Sequence, residues 1–105
     1  MAADTSGFGE GVELSGFRGI DEAAMEDIQR VVRSYLKRYG EICPKFQKLM
    51  LKMKKVHAQV HSEKYEIHAS VLYKGKMYSS KMTELDLIAA VDTALKKLEN
   101  ELGGK

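Results

Sequence analysis

Between Phe46 and Tyr78 apolar and polar side chains take turns along the chain. Leu49, Leu51 and Met53 fall on one side of Lys48, Lys52 and Lys54, the period of two that a β-strand imposes because successive side chains point to opposite faces. This spacing predicts a strand from about Phe46 to His57. A polar bend is expected at His61-Ser62-Glu63-Lys64. Alternation resumes from Tyr65 to Tyr73, with Ile67, Ala69 and Val71 on one side and Glu66, His68 and Ser70 on the other. Lys74-Gly75 reads as a two-residue hairpin turn into a last strand from Lys76 to about Met82. Near the start, Val12 and Leu14, with Phe17 beyond them, predict a short first strand that ends near Gly16 or Gly19.

Two stretches change to a helical period. Met25, Ile28, Val32, Tyr35 and Tyr39, flanked by Val31 and Leu36, make one apolar stripe. Asp21 is the expected N-cap, Glu22 and Glu26 sit where the helix dipole favours acids, and Gly40 followed by Pro44 is the expected stop. Glu26 is spaced to pair with Arg30. The second stripe is Ile88, Val91, Leu95, Leu98 and Leu102, opened by Thr83-x-x-Asp86 as a variant capping box and closed by Gly103-Gly104. The order β-α-β-β-β-α predicts an α+β sandwich of two layers, a four-stranded sheet with both helices on one face. Residues 1–10 are small, polar and acidic and read as a flexible arm, leaving 11–105 as a single domain.

Composition narrows the function classes. With 44% apolar and 30% charged residues the chain belongs among folded globular domains, and no apolar run approaches the ~18 residues of a membrane span. Cys43 is the only cysteine, and the N-terminus carries neither a basic n-region nor an apolar core, so a reducing, cytoplasmic setting is expected. Gly7-Phe8-Gly9 lacks the preceding strand and following helix of a dinucleotide loop. His57 and His61, placed on a strand end and a bend, have no second ligand cluster for zinc, and Cys43 with His68 carries no nucleophile signature. We therefore expect no enzyme, metal or cofactor. The six methionines read as core filler, while Tyr65, Tyr73 and Tyr78 are either half-buried strand tyrosines or stacking platforms on an open sheet.

Charge is what remains, and it is unevenly placed. Residues 30–81 hold 13 Lys/Arg against 3 Asp/Glu, whereas residues 1–29 hold 1 against 7 and residues 82–105 hold 3 against 5. A basic centre presented by a helix face and a sheet is the footprint of a polyanion binder. The candidate RNA-contacting residues are Arg30, Arg33, Lys37 and Arg38 on the first helix, and Lys48, Lys52, Lys54 and Lys55 on the second strand. Lys74, Lys76, Lys81 and Lys97 follow on the last hairpin and last helix. The four on the first helix also fit an ordinary solvated face. No helix-turn-helix, zinc finger, KH loop or aromatic RNP pattern is present, which favours shape and backbone recognition of structured RNA. A general structured-RNA-binding module and a non-RNA protein-interaction domain stay open as alternatives.

Asp86-Leu87-Ile88-Ala89-Ala90-Val91-Asp92, with Lys97-Leu98 and Leu102 after it, resembles the opening of the last helix in the ribosome hibernation-promoting factors. That family is also called ribosome-associated inhibitor A or the ribosomal subunit interface proteins. Leu49-Met50-Leu51-Lys52-Met53-Lys54-Lys55 is similar to the family's second strand, and the resemblance spans roughly residues 12–102. It implies a fold related to double-stranded-RNA-binding domains and a place in the mRNA and tRNA channel of the small ribosomal subunit, contacting its rRNA and silencing idle ribosomes. It also implies a cytoplasmic protein, monomeric off the ribosome, with no membrane or small-molecule partner. Lys97, Lys52 with Lys54, and Arg33 with Lys37 match basic positions of the family. The sequence departs from the pattern at Glu99, Asn100 and Glu101, where relatives are often basic, and in ending at Lys105 without a lysine-rich tail or second domain, which marks the short form.

Overall fold

The structure, a computed structural model, describes residues 11–43, 46, 48–59 and 62–103, and the side chains of all of these but 57–59, 62 and 63. In chain order the elements are β1 (Val12–Ser15), α1 (Glu22–Ile42), β2 (Lys48–Gln59), β3 (Ser62–Tyr73), β4 (Lys76–Glu84) and α2 (Leu87–Gly103). The strands form one sheet in the order β1-β2-β3-β4, with β1 parallel to β2 and the other two pairings antiparallel. The arm expected at 1–10, together with Pro44, His61 and Gly104, lies outside the described residues, as does the side chain of His57.

Register decides which side of the sheet is core. Val12 pairs with Leu49 and Leu14 with Leu51, while Leu49, Leu51 and Met53 lie opposite Val71, Ala69 and Ile67. All eight are buried, so one face of the sheet is apolar across three strands. On α1, Ile28, Val32, Tyr35 and Tyr39 are buried, and on α2 so are Leu87, Ala90, Val91, Ala94, Leu95, Leu98 and Leu102. These side chains form one cluster with the apolar sheet face, and Met25, Val31, Leu36 and Ile88 pack half-buried at its margin. The result is the expected α+β sandwich, with both helices on one side and the other side of the sheet open. Tyr65, Tyr73 and Tyr78 belong to the covered side, in register with Ile67, Val71 and Ser80, and pack against the core. They are half-buried strand tyrosines and not platforms on the open face.

Local chemistry explains the element ends. The Asp21 carboxylate accepts from the Ala24 N–H at 2.9 Å and caps α1. The helix then runs past Gly40 to Ile42, because an exposed glycine with nothing near its missing Cβ interrupts no packing, and Cys43 closes the last turn by donating to the Tyr39 carbonyl at 2.7 Å. Arg30 pairs with Asp27 at 2.8 Å, one turn-neighbour away, instead of with Glu26. At α2 the cap is Asp86 itself, accepting from Ala89 N–H at 2.9 Å, while Thr83 stays in β4. The Lys74-Gly75 turn forms as expected, both residues at positive φ (53° and 76°), as a tight hairpin turn requires. Where β1 leaves the sheet, a Cβ on Gly16 would run into the Met53 carbonyl oxygen, and its φ is +82°. Only glycine passes there.

Polar ties hold the layers in place. Tyr39 Oη donates to the Leu95 carbonyl at 2.6 Å, Tyr35 Oη to the Asp92 carboxylate at 3.1 Å, and Ser80 Oγ to the Ala94 carbonyl at 2.6 Å. Burial pushes the Tyr39 hydroxyl far above the ordinary tyrosine range, with Glu99 and Tyr35 adding to it. Burial also raises Tyr35, reinforced by its hydrogen bond to Asp92.

Two outcomes follow from these features. Gly40→Ala removes the entropic cost of a helical glycine at an open position and is expected to stabilise the fold by about 0.5–1 kcal/mol in denaturant unfolding, with a lower midpoint contradicting it. The raised Tyr39 keeps its proton in the folded state while the unfolded chain loses it, so stability present at neutral pH should fall as pH rises above about 10. Tyr39→Phe should lower stability at pH 7 by ~1 kcal/mol and flatten that alkaline fall, read from unfolding midpoints across a pH series.

Candidate nucleic-acid interface

The open sheet face is laid out by the same register that buries the core. Its cross-strand rows are Lys48–Leu72–Met77, then Glu13–Met50–Ser70–Ser79, then Ser15–Lys52–His68–Lys81, then Lys54–Glu66–Thr83, with Val56–Lys64 beyond. One end is apolar, through Met50, Leu72 and a Met77 that is 50% exposed. The centre is basic. Lys52, His68 and Lys81 stand side by side on three neighbouring strands, with Lys54 one row further on.

One acid sits inside this basic field. Glu66 is 17% exposed, with Lys81 Nζ at 3.5 Å and His68 Nε2 at 3.6 Å. At the apolar end Lys48 is paired with Glu13 at 2.9 Å. Lys52, Lys54 and Lys55 are exposed and hold no ion pair among the described residues. Lys55 faces the other way from Lys54, opposite Tyr65 on the helix side of the sheet. A face that is flat, open and lysine-rich, without an exposed aromatic among the described residues, can meet phosphates but offers no platform for stacking bases.

The remaining candidates stand elsewhere. Arg30, Arg33, Lys37 and Arg38 are exposed on α1, on the outer surface of the helix layer, across the sandwich from Lys52 and Lys54. The helix cations and the sheet cations thus occupy two different surfaces of the sandwich. Arg38 is tied into the seam between the helices, 3.3 Å from Glu99 and 4.9 Å above the Tyr35 ring. Lys97 reaches from α2 to the sheet edge, where its Nζ donates to the Lys81 carbonyl at 3.1 Å. Lys74 and Lys76 lie at the β3–β4 turn, over the rings of Tyr73 and Tyr78 at 5.4 and 5.3 Å.

Register adds Lys64 and His68 to this surface. The sequence showed the polar side of β3 from Glu66 to Ser70, but Lys64 was hidden by reading 61–64 as a bend, whereas β3 begins at Ser62. Counting back in twos from His68 would have found it. Cys43 is buried at the end of α1 while His68 stands on the open face, so the sheet separates the two. Among the described residues, no three His, Cys, Asp or Glu side chains gather as metal ligands, and no helix is long and apolar enough to cross a membrane.

A two-layer α+β sandwich with a bare, lysine-rich sheet face is thus the class this chain falls in, and the α+β sandwich is the architecture that the order of elements predicted. Among the solved structures that share this fold are the following two. A ribosomal subunit interface protein from Coxiella burnetii superposes with a TM-score of 0.63 at 16% identity, over 89% of this chain and 93% of that one. The N-terminal domain of Thermus thermophilus Protein Y does so with a TM-score of 0.58 at 19% identity, over 89% and 92%. At these identities the likeness is one of fold. No family model and no curated protein matches the sequence.

Because Lys52 and Lys54 point away from the core, Lys52→Glu with Lys54→Glu should leave the far-UV circular dichroism unchanged. Affinity for a structured RNA should drop, and the log–log salt dependence should become shallower by about 2 units, about one per lost phosphate contact. Unchanged affinity across a salt titration would remove this face from consideration.

Proposed function

We propose that this chain binds the ribosome, occupying the mRNA and tRNA channel of the small subunit through contacts with rRNA and silencing translation while ribosomes are idle. The observation that carries the reading is the shared fold with a ribosomal subunit interface protein over nearly the whole length of both chains, joined to Lys52 and Lys54 on the open sheet face, which hold no ion pair among the described residues. The split of cations between two surfaces supports it further. A channel surrounds its occupant with phosphate on more than one side, and Arg33 and Lys37 on the helix layer with Lys52 and Lys54 on the sheet suit such a setting better than one flat RNA surface. Occlusion requires no chemistry, only a body of the right size held at several points. The domain measures 43 × 28 × 23 Å.

The test is translation output measured against added protein at fixed ribosome concentration. Inhibition should saturate near stoichiometry with ribosomes, compete with initiator tRNA and mRNA for the small subunit, and survive a modest excess of free tRNA. Inhibition that appears only at large molar excess, and is relieved by bulk RNA, would instead identify a general structured-RNA-binding module.

A further inference from the structure

The sheet order leaves two edges, and they differ. β1 is four residues long, whereas β4 runs for nine, Lys76–Glu84, with no described strand beyond it. Lys74 and Gly75 form a two-residue turn, so the flanking pair Tyr73–Lys76 is a hydrogen-bonded one, and alternation makes Val71–Tyr78, Ala69–Ser80 and Ile67–Met82 hydrogen-bonded too. The backbone groups of Met77, Ser79, Lys81 and Thr83 therefore point outward, away from β3. Lys97 Nζ, 3.1 Å from the Lys81 carbonyl, marks that direction independently.

An outward row of N–H and C=O groups can accept another strand, and the side chains along β4 decide which strand fits. Antiparallel pairing of β4 with itself must set outward groups against outward groups, which leaves three registers with the dyad near the middle of the strand, at Ser79, Ser80 or Lys81. A dyad at Lys81 sets two ammonium groups face to face, and one at Ser79 sets Lys76 against Met82 and Lys81 against Met77. A dyad at Ser80 instead sets Lys76 against Glu84 and Tyr78 against Met82 on the helix side, and Met77 against Thr83 on the open side, each pair occurring twice. It also brings Met77 diagonal to Leu85, the residue after β4, and these are the two most exposed large apolar side chains among the described residues, at 50% and 62%. Tyr78 and Met82 are half-buried at the rim of the core, and Lys76 and Glu84 hold no ion pair among the described residues. Ser80, on the axis, is small, and its hydroxyl is turned inward onto the Ala94 carbonyl. Lysines at an edge ordinarily discourage pairing, and Lys97 lies over one outward carbonyl. A carbonyl oxygen has a second lone pair, so that contact weakens pairing without blocking it.

We propose that β4 is the docking site for a second copy of this chain, paired antiparallel about Ser80 and joining the two four-stranded sheets into one in a reversible dimer. The proposal is independent of the ribosomal reading. The resemblance implied a monomer off the ribosome, and this edge implies a monomer in exchange with a dimer.

The test is sedimentation equilibrium of the whole chain over a concentration series, with amide hydrogen exchange followed by NMR over the same series. Mass should rise from monomer toward dimer, and the amides of Met77, Ser79, Lys81 and Thr83 should gain protection in step, while those of Tyr78 and Ser80, already bonded to β3, change little. Lys76→Glu and Glu84→Lys should each weaken association about tenfold, because like charges then oppose each other at two symmetric places, and the double exchange should restore it. Ser79→Pro removes an outward N–H that the monomer does not use, and should abolish the dimer with far-UV circular dichroism unchanged. A monomer at every concentration up to about 1 mM, a dimer that survives Ser79→Pro, or a double exchange that associates no better than the single variants would overturn the proposal. So would a dimer whose newly protected amides lie outside β4.

Discussion

Everything in this molecule depends on the register of β2 against β3. Leu49, Leu51 and Met53 opposite Val71, Ala69 and Ile67 supply the floor of the core, and the intervening positions place Lys52 and Lys54 beside His68 and Glu66 on the open side. Because the side-chain period is two, a slip of one residue would drive Lys52 and Lys54 under the helices and lift three apolar side chains into water. Core and candidate interface are two readings of one pairing, so neither can drift without the other. Gly16 fixes a third quantity, the point at which β1 stops shadowing β2.

The helix layer is positioned by polar contacts across long sequence separations. Tyr39 reaches the Leu95 carbonyl, Tyr35 reaches Asp92, and Arg38 lies between Glu99 and the Tyr35 ring. Glu99, a departure from the basic pattern of the family that the sequence resembles, has a structural use here: it holds Arg38 against α2. One candidate cation is thereby occupied in joining helices, and the outer surface of α1 is left to its neighbours on that helix.

Much of the fold could be read from the chain because it is written locally. The Asp21 cap, the Lys74-Gly75 turn and the alternation of Leu49, Leu51 and Met53 each depend on residues within a few positions. The placement of Tyr65 and Tyr73 was legible too, since they share parity with Ile67, Ala69 and Val71, and that count decides between the two roles left open for them. Gly40 misled because a glycine signals a helix end only where the backbone needs a positive φ, and here it does not. What the sequence could not show was which cations share a surface. Arg33 and Lys52 belong to one basic stretch but to opposite sides of the sandwich, and the pairing of Arg38 with Glu99 spans 61 positions.

The acid set among the lysines, Glu66, changes how the open face is felt from a distance. A lysine lying against a carboxylate is a dipole, and its field decays faster with separation than that of a lone charge. Lys81 beside Glu66 and Lys48 beside Glu13 are therefore nearly silent beyond their immediate surroundings. Lys52, Lys54 and Lys64, without an ion-pair partner among the described residues, act on this face as monopoles, felt out to the Debye length of about 8 Å at physiological ionic strength. The far field of the sheet is thus displaced from its geometric centre toward the root of the hairpin, and a polyanion drawn to this face by diffusion is turned toward that end before any contact forms.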